Sequence, residues 1–184
     1  MPDETTRERV LNIFFRNYIE LLYPYSDLLT TSANFEAIGV VFYSERQTGT
    51  MISRIKYMKR IALAVVKSLP ICRIIGVGSF VRGLSILNNM SSSWLSMLGN
   101  QKYAHLDMLV VQECYRGQGY VSKIMTPLLA ECRANNKLCT LETQTPSNLP
   151  IYEHYQFRTV EVIPLPNSPL VQYCMVYSPE VAKD

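Results

Sequence analysis

The sequence predicts a mixed α/β domain. Three observations predict it: apolar residues at helical spacing, runs of β-branched and aromatic residues that suit strands, and a strand, turn, helix and strand in order across residues 105–144. The chain has 184 residues, of which 48% are hydrophobic and 18% charged. That length and composition suit one domain with a sizeable core, so we expect a single domain over residues 1–184.

The N-terminal segment has the pattern of an amphipathic helix followed by a hairpin. Thr5 and Glu8 are spaced like a capping box, and apolar residues recur at helical spacing until Pro24. Residues 28–43 then turn to threonine and to β-branched or aromatic residues, with a break at Ala33 and Asn34. We therefore expect a helix that ends near Pro24 and two adjoining strands after it.

A second helix is predicted up to Pro70, with an apolar stripe and basic residues largely off that stripe. We interpret the basic face as a solvated helix surface. The glycine-, serine- and asparagine-rich residues 71–100 sustain neither a helical nor a strand period, so no element is predicted there. The stripe consists of Met51, Ile55, Met58, Ala62, Val65 and Leu69, and the basic residues are Arg54, Lys56, Lys59, Arg60 and Lys67.

The C-terminal half predicts a βαβ crossover and two late strands. A buried strand runs from His105 to residue 111, a helix follows from Val121 and closes at Asn135 and Asn136, and a second buried strand covers 138–143. Ser147 or Asn148 then precedes a short helix, and the late strands cover 158–163 and 170–177.

Composition and charge exclude several classes of function. A formal charge of +3 is too small to indicate a nucleic-acid surface, and the apolar runs are too short to cross a bilayer. The first residues lack the pattern of a secretory signal, so we expect a cytoplasmic protein with no membrane association. Five cysteines without a Cys-x-x-Cys pair and two histidines predict neither a disulfide framework nor a metal site.

The turn between the central strand and the following helix is suited to binding phosphate. Gly117 and Gly119 allow a tight turn, the helix N-terminus presents unpaired N–H groups, and Arg116 adds a permanent positive charge. Two glycines alone are also common in ordinary loops. A Rossmann fingerprint is incomplete because Ser122 stands where a third glycine would be expected, and the sequence lacks a Walker loop.

These residues resemble the GNAT superfamily of acyl-CoA N-acetyltransferases, whose members carry Arg/Gln-x-x-Gly-x-Gly/Ala between a central strand and the next helix. Arg116 and Gly119 match that pattern. The resemblance extends over residues 103–178, and the segments around Glu142 and Asn148–Phe157 are most similar to puromycin N-acetyltransferase. It implies a mostly antiparallel central sheet with flanking helices, a βαβ core that binds acetyl-CoA, and direct transfer of the acetyl group to a primary amine of a small molecule or peptide.

The resemblance also implies where the cosubstrate lies. The backbone of the central strand would pair with the pantetheine arm at the place where the central strands separate, the N–H groups of the turn would receive the pyrophosphate, and Asn148 would contact the cosubstrate or simply cap its helix. The predicted cosubstrate-binding residues are Leu109, Val110, Val111, Arg116, Gly117, Gln118, Gly119, Tyr120, Val121, Ser122 and Asn148.

Two residues are predicted to catalyse the transfer. Tyr152 is the expected general acid, because acyl transfer to an amine expels a thiolate that needs a proton. Glu142 is the expected base for the acceptor ammonium if burial raises its pKa, and otherwise it binds the cation or is only a strand carboxylate. Asp107 is its weaker competitor on the neighbouring strand.

Three departures from the family pattern support an alternative function. Val121 replaces a glycine or alanine, so its side chain either crowds the phosphates or only alters helix packing, and Gln156 replaces a glycine before Phe157. The first strand of the family is missing, and the sheet edge it leaves suits a homodimer or another partner chain. The alternative is a catalytically degenerate module that binds acyl-CoA or a protein.

Overall fold

The computed structural model describes residues 3–47, 50–89, 92–165 and 169–179. The chain forms two compact units, Met1–Pro24 with Gln47–Ser91 and Tyr25–Arg46 with Ser92–Asp184. The described residues of the first unit form four α-helices, and the second unit carries a six-stranded sheet with two α-helices. The mixed α/β class is therefore confirmed, and a single domain over 1–184 stays a prediction.

In the helical unit, α1 packs against α2 and α3, and α3 packs against α4. Asn17 Nδ2 donates a buried hydrogen bond of 2.9 Å to Ser68 Oγ, and Lys67 pairs with Glu20 at the surface between the same two helices. The four helices are α1 (Glu4–Leu22), α2 (Met51–Ser68), α3 (Pro70–Ile75) and α4 (Val77–Asn89).

The predicted capping box at the start of α1 is wrong. Asp3 is the N-cap, and its side chain accepts a hydrogen bond of 2.9 Å from the N–H of Thr6. Thr5 lies inside the helix. A carboxylate before the first turn satisfies an unpaired N–H and also interacts favourably with the helix dipole.

Residues 71–100 contain two helices and a 3₁₀ segment, Ser92–Leu98, none of which the sequence pattern predicted. The helical period is interrupted at Gly76, which ends α3 in a left-handed conformation at φ 80°. Helix α3 has only six residues, so it is too short to show a period of its own.

The apolar stripe of α2 is exposed. Met51 is 78% exposed, Met58 61% and Leu69 49%. The more buried side of the helix holds Ser68, which is buried, and the half-buried residues Tyr57, Ile61, Ala64 and Val65. The strongest apolar pattern in this helix therefore does not mark its packed face.

The second unit is built on one sheet with the strand order β1-β2-β3-β4-β6-β5. The β1–β2 hairpin, the parallel pairing of β3 with β4 and the antiparallel pairing of β4, β6 and β5 confirm the strands predicted from the sequence. The described part of the chain has no strand before α1. The strands are β1 (Ser26–Thr30), β2 (Ala37–Tyr43), β3 (Tyr103–Val111), β4 (Leu138–Thr143), β5 (Arg158–Pro164) and β6 (Val171–Tyr177).

Helix α5 (Tyr120–Ala134) crosses one face of this sheet and packs against β2, β3 and β4. Its inward residues Met125, Leu128 and Cys132 are at most 2% exposed and meet Leu141 of β4 in the core. Asn136 follows the helix with φ 48°, which confirms a left-handed residue at the predicted end. The βαβ crossover is therefore the centre of the second unit.

A short helix, α6 (Leu149–His154), ends in a left-handed turn at an unusual residue. Gln156 has φ 66°, its N–H donates to the carbonyl of Glu153, and the N–H of Phe157 donates to the carbonyl of Tyr152. This is the Schellman arrangement, in which glycine is favoured because a Cβ strains the left-handed residue. The tight backbone expected where the family has glycine is thus present with glutamine.

Replacing Gln156 with glycine is expected to raise the free energy of unfolding by about 1 kcal/mol, because relief of the left-handed strain exceeds the added freedom of the unfolded chain. Urea denaturation of the two proteins measures the difference. Gln101→Gly is the control, because Gln101 is also exposed but is not among the described residues with positive φ. Equal effects of the two substitutions would contradict the strain at Gln156.

Candidate active site at the carboxyl edge of the central strands

The two central strands separate at their carboxyl ends. β3 and β4 pair from Tyr103 with Leu138 to Leu106 with Leu141, and within the described residues no further pair between them follows. β3 nevertheless continues to Val111, which still pairs with β2 on its other side. The segment of β3 that contains Leu109, Val110 and Val111 therefore has an open backbone edge toward β4, as the resemblance implied.

A bulge in β3 marks the start of this separation. Val40 pairs with Met108 and Val41 pairs with Leu106, so Asp107 is an extra residue in β3. A bulge bends its strand and changes which face the following side chains occupy. Leu109 accordingly packs against the core, whereas Val110 is 57% exposed.

The turn after β3 has the backbone that its glycines predicted. Gly117 has φ 73° and Gly119, the N-cap of α5, has φ 77°. A Cβ added at either glycine would meet no heavy atom within 4 Å, so the space over the turn is open and only the backbone conformation requires glycine. Because β3 and β4 are parallel, this turn lies at the edge where the two strands separate.

The N–H groups of the turn are only partly free. The N–H of Arg116 donates to the carbonyl of Glu113 at 3.2 Å, and the N–H of Ser122 donates to that of Gly119 at 3.1 Å. The N–H groups of Arg116 and Ser122 thus have partners within the turn, and binding of pyrophosphate by the run from Arg116 through Ser122 stays a prediction. Within the described residues, no acceptor is found for the N–H groups of residues 117–121, and α5 has no side-chain cap.

The side chains around the turn take different positions. Val121 packs against the core, which favours altered helix packing over crowding of the phosphates. Gln118 Nε2 donates back to the carbonyl of Cys114 at 2.8 Å, while the Arg116 side chain is exposed. Lys123 Nζ lies 3.9 Å from the centroid of the Tyr120 ring, so a second cation stands beside the turn.

Helix α6 starts at the same edge, directly after β4. Asn148 occupies its N-cap position but makes no capping side-chain hydrogen bond, and its Nδ2 instead lies 3.4 Å from Thr143 Oγ1 at the end of β4. Capping by the side chain is therefore wrong for Asn148. Ser122 Oγ and Tyr155 Oη are 2.5 Å apart, which ties the first turn of α5 to the end of α6.

Tyr152 is buried in the core, with 9% of its surface exposed. Its ring lies edge-on to Phe157 with the centroids 6.1 Å apart. Burial raises the pKa of the Tyr152 phenol, so the group keeps its proton throughout the neutral range. The phenol therefore carries a proton at neutral pH, and its ring packs against Phe157.

Glu142 lies on the opposite face of β4 from the core residue Leu141, because successive strand residues point to opposite faces. The indole N–H of Trp94 donates to Glu142 Oε1. Burial raises the pKa of the Glu142 carboxyl, and the nearby Asp107 acts in the same direction, while hydrogen bonds from Trp94 and Ser92 oppose them. A carboxylate with a raised pKa accepts a proton at neutral pH more readily than an ordinary one.

Trp94 contacts the candidate base Glu142, and no sequence pattern predicted this contact. It is the one tryptophan in the chain, is 4% exposed and lies in the unpredicted 3₁₀ segment Ser92–Leu98. A buried tryptophan needs an acceptor for its indole N–H, and this requirement could have indicated that Trp94 contacts a polar side chain.

His105 lies on β3 two residues before Asp107 and is buried. Its Nδ1 is 2.9 Å from Thr140 Oγ1 on β4. Burial lowers the pKa of the His105 imidazole to about 4, so the ring is neutral above that pH. This supports a structural role for His105.

The stability of the protein is expected to fall as the pH decreases from 6.5 to 4. The unfolded chain protonates His105 at a pKa near 6.5 and the folded chain only near 4, so the difference amounts to about 3 kcal/mol of unfolding free energy. Urea denaturation across this range measures it. His105→Gln is expected to flatten the slope, whereas the exposed His154→Gln should keep it, and an unchanged slope in both variants would contradict the assignment.

Part of the chain matches a known protein family. Residues 85–164 match the family model described as an acetyltransferase (GNAT) domain, and this range contains β3, the turn, α5, β4 and α6. This part of the chain is therefore similar to GNAT acetyltransferase domains. No curated protein sequence matches the chain.

Solved structures show the same fold. A histone acetyltransferase HPA2 and related acetyltransferase from Corynebacterium glutamicum matches with a TM-score of 0.60 at 12% identity, over 97% of this chain and 79% of its own. The mostly antiparallel six-stranded sheet with flanking helices is thus the fold of this bacterial acetyltransferase.

Two plant structures match over a smaller part of the chain. Arabidopsis thaliana Naa50 in complex with the bisubstrate analogue CoA-Ac-MVNAL matches with a TM-score of 0.39 at 23% identity, over 42% of this chain and 56% of its own. Arabidopsis thaliana NAA60 in complex with acetyl-CoA matches with a TM-score of 0.35 at 22% identity, over 47% of this chain and 58% of its own. This chain therefore spans just over half the length of these two proteins.

Proposed function

We propose that this protein is an acetyl-CoA-dependent N-acetyltransferase that transfers the acetyl group to a primary amine by direct attack. The observation that carries the proposal is the separation of β3 and β4 next to a turn with unpaired N–H groups. An extended arm can pair with the open edge of β3, and an anion can bind at the start of α5. The open edge of β3 fits the pantetheine arm of acetyl-CoA, and the start of α5 fits its pyrophosphate.

The turn at Gly117 and Gly119 has the space and the charge that the pyrophosphate of the cosubstrate requires. The space over Gly117 and Gly119 is free of neighbouring atoms, and the exposed side chains of Arg116 and Lys123 supply positive charge there. Acetyl-CoA would supply an acetyl group activated as a thioester. All of the predicted cosubstrate-binding residues stay in this proposal. Among them, the N–H groups of residues 117–121 are the ones that would receive the pyrophosphate.

Glu142 and Tyr152 are the proposed catalytic residues. The acceptor amine must lose a proton before it attacks, and the carboxylate of Glu142 accepts it directly or through water. Tyr152 holds a phenolic proton that is given to the departing thiolate sulfur. Asp107 adds negative charge near Glu142, which favours a cationic acceptor such as a small primary amine or a peptide amine.

The degenerate alternative loses part of its support. Val121 places its side chain in the core and Gln156 adopts the left-handed turn, so both departures are accommodated. The resemblance to puromycin N-acetyltransferase stays a prediction, because it rests on sequence segments alone, and a shared fold does not define the acceptor.

Acetyl-CoA is expected to bind the purified protein, and Gly119→Ala should weaken the binding by roughly tenfold because a Cβ forces the N-cap out of its left-handed conformation. Isothermal titration calorimetry measures both affinities. Gly76→Ala is the matched control, since Gly76 has φ 80° and open space around its Cα in the helical unit.

If millimolar acetyl-CoA produces no heat with the unaltered protein, both the enzyme hypothesis and the hypothesis of an acyl-CoA-binding module are excluded. Thiol release is then assayed with spermidine, phenethylamine and short peptides with free amino groups. Binding without turnover of any of these amines would instead favour the degenerate module.

A further inference from the structure

The helical unit has an unusual distribution of charge. Residues 47–91 contain seven of the 18 basic residues of the chain and none of its 15 acidic residues. The rest of the chain therefore has a net negative formal charge. All seven basic side chains are exposed: Arg54, Lys56, Lys59, Arg60, Lys67, Arg73 and Arg82.

The same segment exposes large apolar side chains along α2. They cluster on one side of the helix and reach 78% exposure at Met51. Scattered apolar residues are normal on a protein surface, but a continuous stripe along an entire helix marks an interaction surface. This exposed stripe shares Met51, Ile55, Met58 and Leu69 with the stripe predicted from the sequence and also includes Ile52, Leu63 and Val66.

The basic side chains border this apolar stripe. Lys56, Arg60 and Lys67 follow its polar margin, Lys59 lies within it, and Lys67 is partly engaged by Glu20. Long basic side chains at such a margin can cover apolar surface with their methylene stems while their charged groups reach anionic groups nearby. An amphipathic helix with this arrangement suits the interface of a lipid bilayer.

We propose that α2 docks the protein on an anionic membrane surface, with the apolar stripe in the interfacial layer and the basic residues on lipid headgroups. No described helix is long and apolar enough to cross a membrane, so the association is peripheral. A protein partner would need an apolar groove bordered by acidic residues. An anionic leaflet supplies both apolar chains and negatively charged headgroups along the whole stripe. This reverses the prediction that the basic face is only solvated.

Co-sedimentation of the full-length protein with vesicles tests the proposal. Vesicles of phosphatidylcholine mixed with phosphatidylserine are expected to bind roughly tenfold more protein than phosphatidylcholine alone, and high salt should remove the difference. The triple variant Lys56→Glu, Lys59→Glu, Arg60→Glu should lose this binding. The variant Ile55→Ser, Met58→Ser should lose it as well.

The matched control changes the same number of charges on α1, with Arg7→Glu, Arg9→Glu, Arg16→Glu. These three side chains are exposed on a helix that also carries acidic residues, and the control should keep its vesicle binding. Circular dichroism checks that each variant remains helical. Equal loss in both triple variants would reduce the effect to net charge and overturn the proposal.

A second measurement reports insertion directly. Ile55→Trp in a Trp94→Phe background should show a blue shift of its emission when phosphatidylserine vesicles are added. Absence of both the shift and the sedimentation would overturn the proposal. A concentration-dependent dimer that Ile55→Ser, Met58→Ser dissociates, without vesicle binding, would assign the stripe to a second copy of the chain.

Discussion

Tyr152→Phe is expected to lower kcat for acetyl transfer by about 100-fold, while the affinity for acetyl-CoA changes little. The substitution removes only the phenolic oxygen and keeps the ring that packs against Phe157. The departing thiolate then has no proton donor at that position. Steady-state thiol release at saturating acetyl-CoA, together with calorimetry, separates the loss of kcat from any loss of binding.

The pH profile gives the Tyr152 assignment a second test. Burial raises the pKa of the phenol, so the acid form persists to higher pH than a free tyrosine would allow. We expect activity that depends on Tyr152 to hold its plateau through the alkaline range. Tyr177→Phe is the control, because Tyr177 is 1% exposed and its ring also lies near Phe157. If Tyr152→Phe keeps half of the original kcat, Tyr152 is a packing residue only.

The second unit was predictable because its elements are regular and their order restricts the topology. The apolar run 105–111, the glycine turn and the helix from Val121 form a strand, a turn and a helix at the spacing of a βαβ unit. A crossover between parallel strands then fixes which ends meet. The turn, α5 and β4 were accordingly placed without knowledge of any contact between them.

The helical unit was predicted less well for physical reasons. Gly76 separates two helices that are each hard to recognise alone, and a sequence period cannot tell a packed stripe from an exposed one. In α2 the buried residue Ser68 is polar and accepts a hydrogen bond from Asn17 of α1, whereas large apolar residues such as Met51 and Met58 are exposed. Periodicity therefore identified the helix and not its orientation.

The candidate catalytic residues show a similar division between pattern and contact. Glu142 and Tyr152 are predicted because each lies in a segment with a recognisable pattern. Trp94 was not found, because its role depends on a hydrogen bond across 48 residues of sequence. Spacing also could not reveal that Arg116 and Ser122 use their own N–H groups within the turn.

Glu142→Gln is expected to lower kcat/KM for the amine acceptor by about 100-fold, because the amide cannot accept a proton. Glutamine keeps the size of the side chain and can still accept the Trp94 indole N–H through its carbonyl oxygen. Rates measured against pH distinguish two roles. If Glu142 is the base, the rate of the original protein falls at low pH and the variant lacks this fall. If Glu142 only binds the cation, the substitution raises KM and leaves the shape of the pH profile unchanged.

The same substitution has a predictable effect on stability. Because the pKa of Glu142 is raised in the fold, the unfolded chain releases this proton more readily, and the contribution of Glu142 to stability falls as the pH rises above the ordinary value of 4.5, opposite in sign to that of His105. Glu142→Gln should therefore be more stable than the original protein at neutral pH, with the difference vanishing below pH 4.5. Urea denaturation at both pH values measures this.

Glu131→Gln is the control for both measurements, since Glu131 also accepts a hydrogen bond from an aromatic side chain, Tyr43, at 2.9 Å. It should leave the rate unchanged because Glu131 lies near the end of α5, away from the turn. Asp107→Asn tests the competing carboxylate. A larger loss of rate in Asp107→Asn than in Glu142→Gln would transfer the role of base to the bulged residue of β3.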